Sequence, residues 1–262
     1  MSTTYQTIVS ERRRRAAVIT LNRPDKRNAI SFQMMDELQA ALAQIAGDAD
    51  ARAVVITGGS RFFSSGMDLN ALVGRDSPAR FNEYMIKWRQ LNKALEEHPK
   101  PVIAAIEGYC YTGGLELALA CDLRVGGSTA QFTITSSKIG TVPGAGGTQR
   151  LPRIVGIANA LDILFSADPI GAERAYQIGL INRLAAAGES LSVALAMADI
   201  YAERAPLSLQ WAKRAVYSGM QMPLGEAIEF EAFIVNTVYR TNDKQEGISS
   251  FLEKRPPKFT GT

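Results

Sequence analysis

One stretch constrains the fold of this chain more than any other: Gly108–Asp122, GYCYTGGLELALACD, directly after the strand-like run PVIAAIE (Pro101–Glu107). A β-branched run, a Gly-Gly pair and an apolar helical segment in that order read as a strand feeding a helix. Glycine lets a backbone N–H come close to a ligand because no Cβ stands in the way. The first N–H groups of a helix lack internal partners and point at whatever lies ahead of it. Glu116, three residues past Gly113, places one carboxylate in the first turn. The element therefore predicts a site that polarises a carbonyl next to an acid/base side chain.

The chain is long enough, at 262 residues, to bury a substantial core as one large domain or two small ones. A net charge of +3 is too mild to suggest a nucleic-acid binder. The only dense basic block, Arg12–Arg15, precedes the strand-like AAVITL and reads as a solvated turn between two opening strands. Cys110 and Cys121 make no metal-ligand spacing and too few thiols for a disulfide framework, so no metal is expected. No apolar run is long enough to span a bilayer. The opening residues have no signal-peptide core, and Glu11 speaks against a transit peptide. A cytoplasmic protein without a membrane partner is expected.

The first two-thirds alternates strand and helix, which argues for an α/β fold with crossover helices. Strands are predicted at Val18–Leu21, Val54–Thr57, Val102–Ile106 and Leu123–Val125. Ser31 reads as the N-cap of a helix running to about Ile45, and Phe81–Glu97 as a second helix ended by HPKP. The last third reads helical, at Asn159–Phe165, Ala172–Ile178, Ser192–Arg204, Ser208–Tyr217 and Glu226–Tyr239, with no strand candidate as strong as those upstream. A second Gly-centred segment, RFFSSGMDLNAL (Arg61–Leu72), follows VVITGG. An oxyanion hole needs two converging N–H donors, one from each of two neighbouring loops. The Met67 and Gly113 N–H groups make that pair.

Four segments then show a resemblance: LNRPDKRNAIS (Leu21–Ser31), FFSSGMDL (Phe62–Leu69), PKPVIAAIEGYCYTGGLELALACDLRV (Pro99–Val125) and TVPGAGGTQRLPRIVG (Thr141–Gly156). Together with EGISSFLEKRPPKF (Glu246–Phe259) they resemble the crotonase superfamily, the enoyl-CoA hydratase/isomerase family of acyl-CoA enzymes. The match runs from about Tyr5 to Phe259. It implies a spiral of β-β-α repeats with a helical C-terminal trimerisation region, and a homo-oligomer, trimer or dimer of trimers. On that reading residues 1–190 form the acyl-CoA-binding and catalytic core and 191–262 the trimerisation region. Coenzyme A is then part of the substrate, and no further cofactor is implied.

By the same resemblance, the oxyanion donors fall on Met67 and Gly113, and Glu116 falls on the first of two glutamates that similar hydratases use to hold and activate water. The second falls on Ser136, a departure. A serine hydroxyl can hold a water but is a poor proton donor or acceptor near neutral pH unless a base activates it. Either Glu116 works alone with Ser136 orienting the water, or another group acts; Lys138, Tyr109, Tyr111 and Thr112 are near in sequence. Lys26, Arg27 and Ala29 are implied CoA contacts, with the phosphates met by Lys26 and Arg27. Ser65, Met67, Asp68, Leu69 and Gly113 would line the adenine and pantetheine end or the thioester. Where some relatives carry a phosphate-reaching lysine this chain has Asn70, and Lys254 and Lys258 could reach the CoA of a neighbouring subunit.

His98, the only histidine, reads as a helix-end surface residue. Asp122 reads as structural, tying down backbone donors, and Arg150 and Arg153 read as helix or subunit anchors. Asp162 and Glu173 could face either the pocket or solvent. Pocket depth is expected to depend on Leu72–Trp88 and on the helical last third. The expected activity is hydration of a 2-enoyl-CoA. Isomerisation, decarboxylation and thioester hydrolysis remain open within the class, as does an acyl-CoA-binding protein with little turnover. Nucleic-acid binding through Arg12–Arg15 is the weakest alternative.

Overall fold

The computed structural model describes residues 4–69 and 78–262. In chain order the elements are β1 (Ile8–Arg13), β2 (Ala16–Leu21), α1 (Phe32–Gly47), β3 (Ala53–Thr57), α2 (Pro78–Glu96), β4 (Val102–Ile106), β5 (Tyr109–Tyr111) and α3 (Gly113–Ala120). They continue with β6 (Leu123–Gly127), β7 (Gln131–Thr133), α4 (Gly147–Val155), α5 (Ile157–Ser166), β8 (Ile170–Gly171), α6 (Ala172–Gln177) and β9 (Arg183–Ala185). The chain closes with α7 (Ser190–Ala202), α8 (Pro206–Gly219), α9 (Leu224–Val238) and α10 (Asn242–Leu252).

The main sheet has the order β1-β2-β3-β4-β6-β9, parallel apart from the β1–β2 hairpin. A smaller sheet, β5-β7-β8, runs alongside it. Two isolated parallel bridges, Ile30–Met67 and Ser64–Cys110, carry that second ladder to earlier turns of the chain. Each turn thus makes one strand of the main sheet, a short second-ladder segment and a helix: β2, Ile30 and α1; β3, Ser64–Met67 and α2; β4, β5 and α3. This is the β-β-α spiral that the resemblance implies.

The central strands β2, β3 and β4 are apolar on both faces, as parallel strands covered on both sides must be. Along β2, Ala17, Ile19 and Leu21 join the core under α1, α2 and α3, while Ala16 and Val18 join a second core beneath α7. β4 divides likewise, with Val102, Ala104 and Ile106 on one side and Ile103 and Ala105 on the other. Ser31 caps α1, its hydroxyl accepting from the Met34 N–H at 3.2 Å. Glu107, buried at the end of β4, accepts from Ser190 N–H at 3.0 Å and so places a carboxylate at the start of α7, where the helix dipole favours it.

Several expectations need correction. His98 is buried rather than at the surface; its ring nitrogens meet the Leu42 and Lys100 carbonyls. Desolvation pushes its pKa down to about 4, so the ring is neutral at physiological pH. Lys138, weighed as a partner for Glu116, lies with Ser136 in a 3₁₀ turn, Ser136–Ile139, and pairs with Asp168 in solvent at 2.9 Å. The last third does contribute a strand, since β9 extends the main sheet beside β6. Its three residues are held by pairing, and that leaves too short a pattern to read. The basic block behaves as expected: Arg12 and Arg13 end β1, Arg14 and Arg15 form the turn, and Arg12 pairs with Asp50 at 2.7 Å. No helix among the described residues is long and apolar enough to cross a membrane.

Arg124 ties this scaffold behind α3. It is 4% exposed, with Nε donating to Leu180 O at 2.7 Å and Nη1 to Cys121 O at 3.0 Å and Ala118 O at 3.3 Å. A cation here also complements the C-terminal end of the helix. Arg124→Leu strands these carbonyls in the core and is expected to cost about 2–4 kcal/mol, read as a lowered midpoint in urea unfolding.

Candidate active site

Consecutive turns of the spiral set equivalent positions side by side. Met67 follows the second-ladder segment of one turn and Gly113 follows β5 in the next. A Cβ built on Gly113 would stand 3.2 Å from the Met67 nitrogen and 3.2 Å from the Trp88 ring, so any other residue would need these neighbours to give by a few tenths of an ångström. The neighbouring N–H groups are used: Asp68 donates to Ile30 O, Thr112 to Thr133 O and Gly66 to Ser64 Oγ. The Met67 and Gly113 N–H groups find no backbone acceptor among the described residues. Two unused, adjacent donors at the mouth of a helix are the geometry an oxyanion hole requires.

A network behind the first donor holds its loop. Asn28, 1% exposed, donates from Nδ2 to Gly58 O at 3.0 Å and Phe63 O at 3.1 Å. Ser64 Oγ donates to Asn28 O at 2.8 Å and accepts from Gly66 N–H. The second donor depends on Thr112, which takes φ +46°, in the left-handed region that favours glycine. Such a residue costs about 1–3 kcal/mol unless its surroundings hold it. Here Thr112 Oγ1 lies 2.8 Å from Thr135 Oγ1 and accepts from Thr135 N–H at 3.1 Å. The same contact therefore links the turn that leads into Gly113 to the turn carrying Ser136.

Glu116 and Ser136 are both buried, and both line the cavity of about 250 Å³ onto which Met67 and Gly113 open. Trp88 and Met85 from α2 and Val142 wall it. The Glu116 carboxylate is held by one oxygen: Oε1 accepts from Ala145 N–H and Gly147 N–H, each at 2.8 Å. No described residue donates to Oε2. Burial raises the pKa from 4.5 to about 7, against the lowering effect of those two N–H groups and of Arg150. At neutral pH the group is therefore divided between acid and base forms.

The predicted residues fall into three groups. Glu116, Ser136, Met67, Gly113 and Leu69 share the cavity, joined by Thr112. Lys26 and Arg27 are exposed and lie beside Ser65, whose N–H donates to Arg27 O at 2.9 Å, with Ala29 buried beneath. The Asp68 carboxylate is engaged with Arg23 at 2.9 Å. Lys138, Tyr109, Tyr111, Lys254 and Lys258 do not line the cavity, and Asp162 and Glu173 face solvent. Asp122 is structural as read, accepting from Val102 N–H at 2.7 Å and pairing with Lys213 at 2.9 Å. Arg150 anchors α4 to α2 through Glu96 at 2.6 Å, and Arg153 reaches Gln149. Asn70, and the 72–88 stretch as far as residue 77, lie outside the described residues.

Sequence reasoning missed the Ala145 and Gly147 donors, whereas Met85 and Trp88 fall within the 72–88 stretch expected to shape the pocket. The run PGAGG (Pro143–Gly147) was the available signal for the donors. No group of side chains among the described residues is arranged to hold a metal.

The raised pKa carries a stability consequence. An acid whose folded-state pKa exceeds its unfolded value stabilises the fold fully below the unfolded value and loses that contribution as pH rises through the folded one. For Glu116 the window runs from about pH 4.5 to about pH 7 and is worth about 3 kcal/mol. Glu116→Gln removes it, so the variant should gain stability relative to the parent between pH 4 and pH 8, as measured by chemical unfolding at each pH.

Comparison with known proteins agrees with this geometry. The family model for enoyl-CoA hydratase/isomerase matches residues 11–262. The 2,3-dehydroadipyl-CoA hydratase of Escherichia coli K12 is 38% identical over 254 residues, covering 97% of this chain and 98% of that protein. The crotonyl-CoA hydratase of Syntrophomonas wolfei is 34% identical, covering 97% and 98%. Among solved structures, an enoyl-CoA hydratase from Bacillus anthracis superposes with a TM-score of 0.94 at 33% identity, covering 98% of this chain and all of that one. With a β-β-α spiral, two unspent N–H donors and a buried glutamate at the expected place, this chain belongs to the enoyl-CoA hydratase/isomerase family.

Proposed function

We propose that the protein adds water across the double bond of a 2-enoyl-CoA with Glu116 as the single proton-transferring carboxylate. The observation that carries this reading is the state of Glu116: buried, tethered through Oε1, free at Oε2, and balanced near neutral pH. A general acid–base group works best when its pKa lies near the working pH, and a group that must both take and return one proton needs that balance most.

The reaction follows from the residues in place. The thioester oxygen sits between the Met67 and Gly113 N–H groups. Ionised Glu116 takes a proton from a water that attacks C3, while Ser136 Oγ holds that water. The electron pair of the double bond moves toward the thioester, and the enolate charge rests on the two N–H groups, each worth about 3 kcal/mol in such a role. The carboxyl then returns its proton to C2, giving the 3-hydroxyacyl-CoA. Protons and water are all that move, and coenzyme A enters only as part of the substrate. Its phosphates would meet exposed Lys26 and Arg27, and its chain would run past Ala29, Ser65, Asp68 and Leu69.

A second reading shares every residue but one. Glu116 is the only carboxylate lining the cavity among the described residues, and a lone carboxylate can also carry a proton between C2 and C4, which isomerises the double bond without water. Decarboxylation, hydrolysis and ligand binding without turnover have no such observation behind them.

Crotonyl-CoA should lose its enoyl-thioester absorbance on adding the protein, with one oxygen from labelled water appearing in the product. Glu116→Gln should lower kcat/KM by about 10²–10⁴-fold, and Ser136→Ala should lower it less. For the parent, kcat/KM should rise with pH through about 7, because the free enzyme needs the ionised form. Conversion of a 3-enoyl-CoA with no uptake of water would favour isomerisation.

The assembly belongs to the same reading. Leu224, Phe233, Phe251 and Leu252 on α9 and α10 are 77%, 63%, 82% and 73% exposed, an apolar surface too large for helices left in water. Residues 191–262 are proposed as the region that covers it between copies, in a trimer or dimer of trimers, in the cytoplasm. Light scattering on the purified protein should give three or six times the chain mass. Phe251→Asp with Leu252→Asp should lower it.

A further inference from the structure

The mechanism leaves unexplained what keeps Glu116 tethered by one oxygen. Both N–H groups that hold Oε1 belong to the turn Ala145–Gly147, which enters α4. Gly146 at its centre takes φ +99°, and a methyl there would run into the Arg150 guanidinium. Arg150 sits one turn into α4 and folds back over this turn, its Nη1 donating to Ala145 O at 3.2 Å. Asn92 Nδ2 donates to the same carbonyl at 2.6 Å. The guanidinium is in turn aimed by Glu96, whose Oε1 accepts from Nε at 2.6 Å. Asn92 and Glu96 stand four residues apart on α2, on one face of the helix.

We propose that Arg150, aimed by Glu96, is a positioning residue of the reaction: it clamps the Ala145–Gly147 turn against α2 and so fixes the Glu116 carboxylate with Oε2 toward the substrate. An anchor of α4 alone would not need its guanidinium on Ala145 O. The clamp holds the Ala145–Gly146 peptide, which lies between the two peptides whose N–H groups meet the carboxylate, so the orientation of both N–H groups depends on it. This rests on Glu116 carrying the proton. Among the described residues, the charged or titratable groups that act on Glu116 are Arg150 from α4 and Tyr84 from α2, with Glu96 behind Arg150. Arg150 favours the ionised form, and Tyr84 hydrogen-bonds to Ile30 O at 3.1 Å as a neutral phenol.

The test reads the carboxyl directly, without substrate. Infrared difference titration of the whole protein, with Glu116→Gln to assign the band, follows the protonation of Glu116 in Arg150→Gln, Arg150→Lys and Glu96→Ala. In Arg150→Gln the midpoint should move up by about half a unit or more, with Arg150→Lys in between. Glu96→Ala separates the clamp from simple charge. Loss of a nearby anion alone would move the midpoint down, whereas loss of aim in Arg150 should move it up. If the reaction reading also holds, kcat should fall in these variants with KM little changed. Because the spectroscopic midpoint needs no turnover, failure of the hydration reading leaves this test intact. Folded variants, shown by circular dichroism and thermal melts, with unmoved midpoints, or a downward shift in Glu96→Ala, would overturn the proposal. Should Arg150→Gln fail to fold, Arg150→Lys and Glu96→Ala decide it.

Discussion

Everything at the site depends on two backbones passing within contact distance at Met67 and Gly113. Parallel pairing of β3 with β4 brings successive turns of the spiral into register, and the Ser64–Cys110 bridge repeats that register in the second ladder. The chain positions just beyond this bridge must then lie side by side. A side chain at residue 113 would force them apart or displace Trp88. The Gly113 donor remains unspent because the ladder ends there: the Gly66 N–H, which the next bridge in register would use, turns instead to Ser64 Oγ.

The second constraint is the burial of one carboxylate without a cation touching it. A buried carboxylate without compensation is costly and answers by raising its pKa. Glu116 receives two neutral N–H donors and a guanidinium acting from beyond Ala145, which is enough to keep it available as a base and too little to keep it fully ionised. Glu107 and Asp243 are also buried and Asp122 is half-buried, and each meets at least two donors. These are fastened within the scaffold, whereas Glu116 keeps one oxygen open to a cavity. That difference sets Glu116 apart from carboxylates whose oxygens are all engaged in the scaffold.

Much of this was legible in the chain. The four predicted strands stand where the β-branched runs put them, because apolar runs bounded by turn residues have few other ways to be buried. Ser31 caps its helix since the hydroxyl, the spacing to Met34 and the apolar periodicity all lie within one turn. The Gly-Gly element announced a free N–H at a helix start for the same reason, since close approach and a helix start are local properties. His98 was misread because its burial depends on the Leu42 carbonyl of a distant helix. Ser136 and Lys138 lie in a 3₁₀ turn that has no local pattern to announce it, because it is held from Thr112.

The order of residues by itself determined the elements, the glycine contact and the presence of a carboxylate in the first turn of α3, because each is fixed by steric and hydrogen-bonding preferences over a few neighbours. Tertiary structure alone decided what that carboxylate can do. Its pKa follows from exclusion of water by Trp88, Met85 and Val142, its tether from a turn 29 residues away in the chain at Ala145, and the aim of that turn from Asn92, Glu96 and Arg150. Desolvation and long-range contact have no local signature, and so the setting of Glu116 became visible only once the spiral had closed around it.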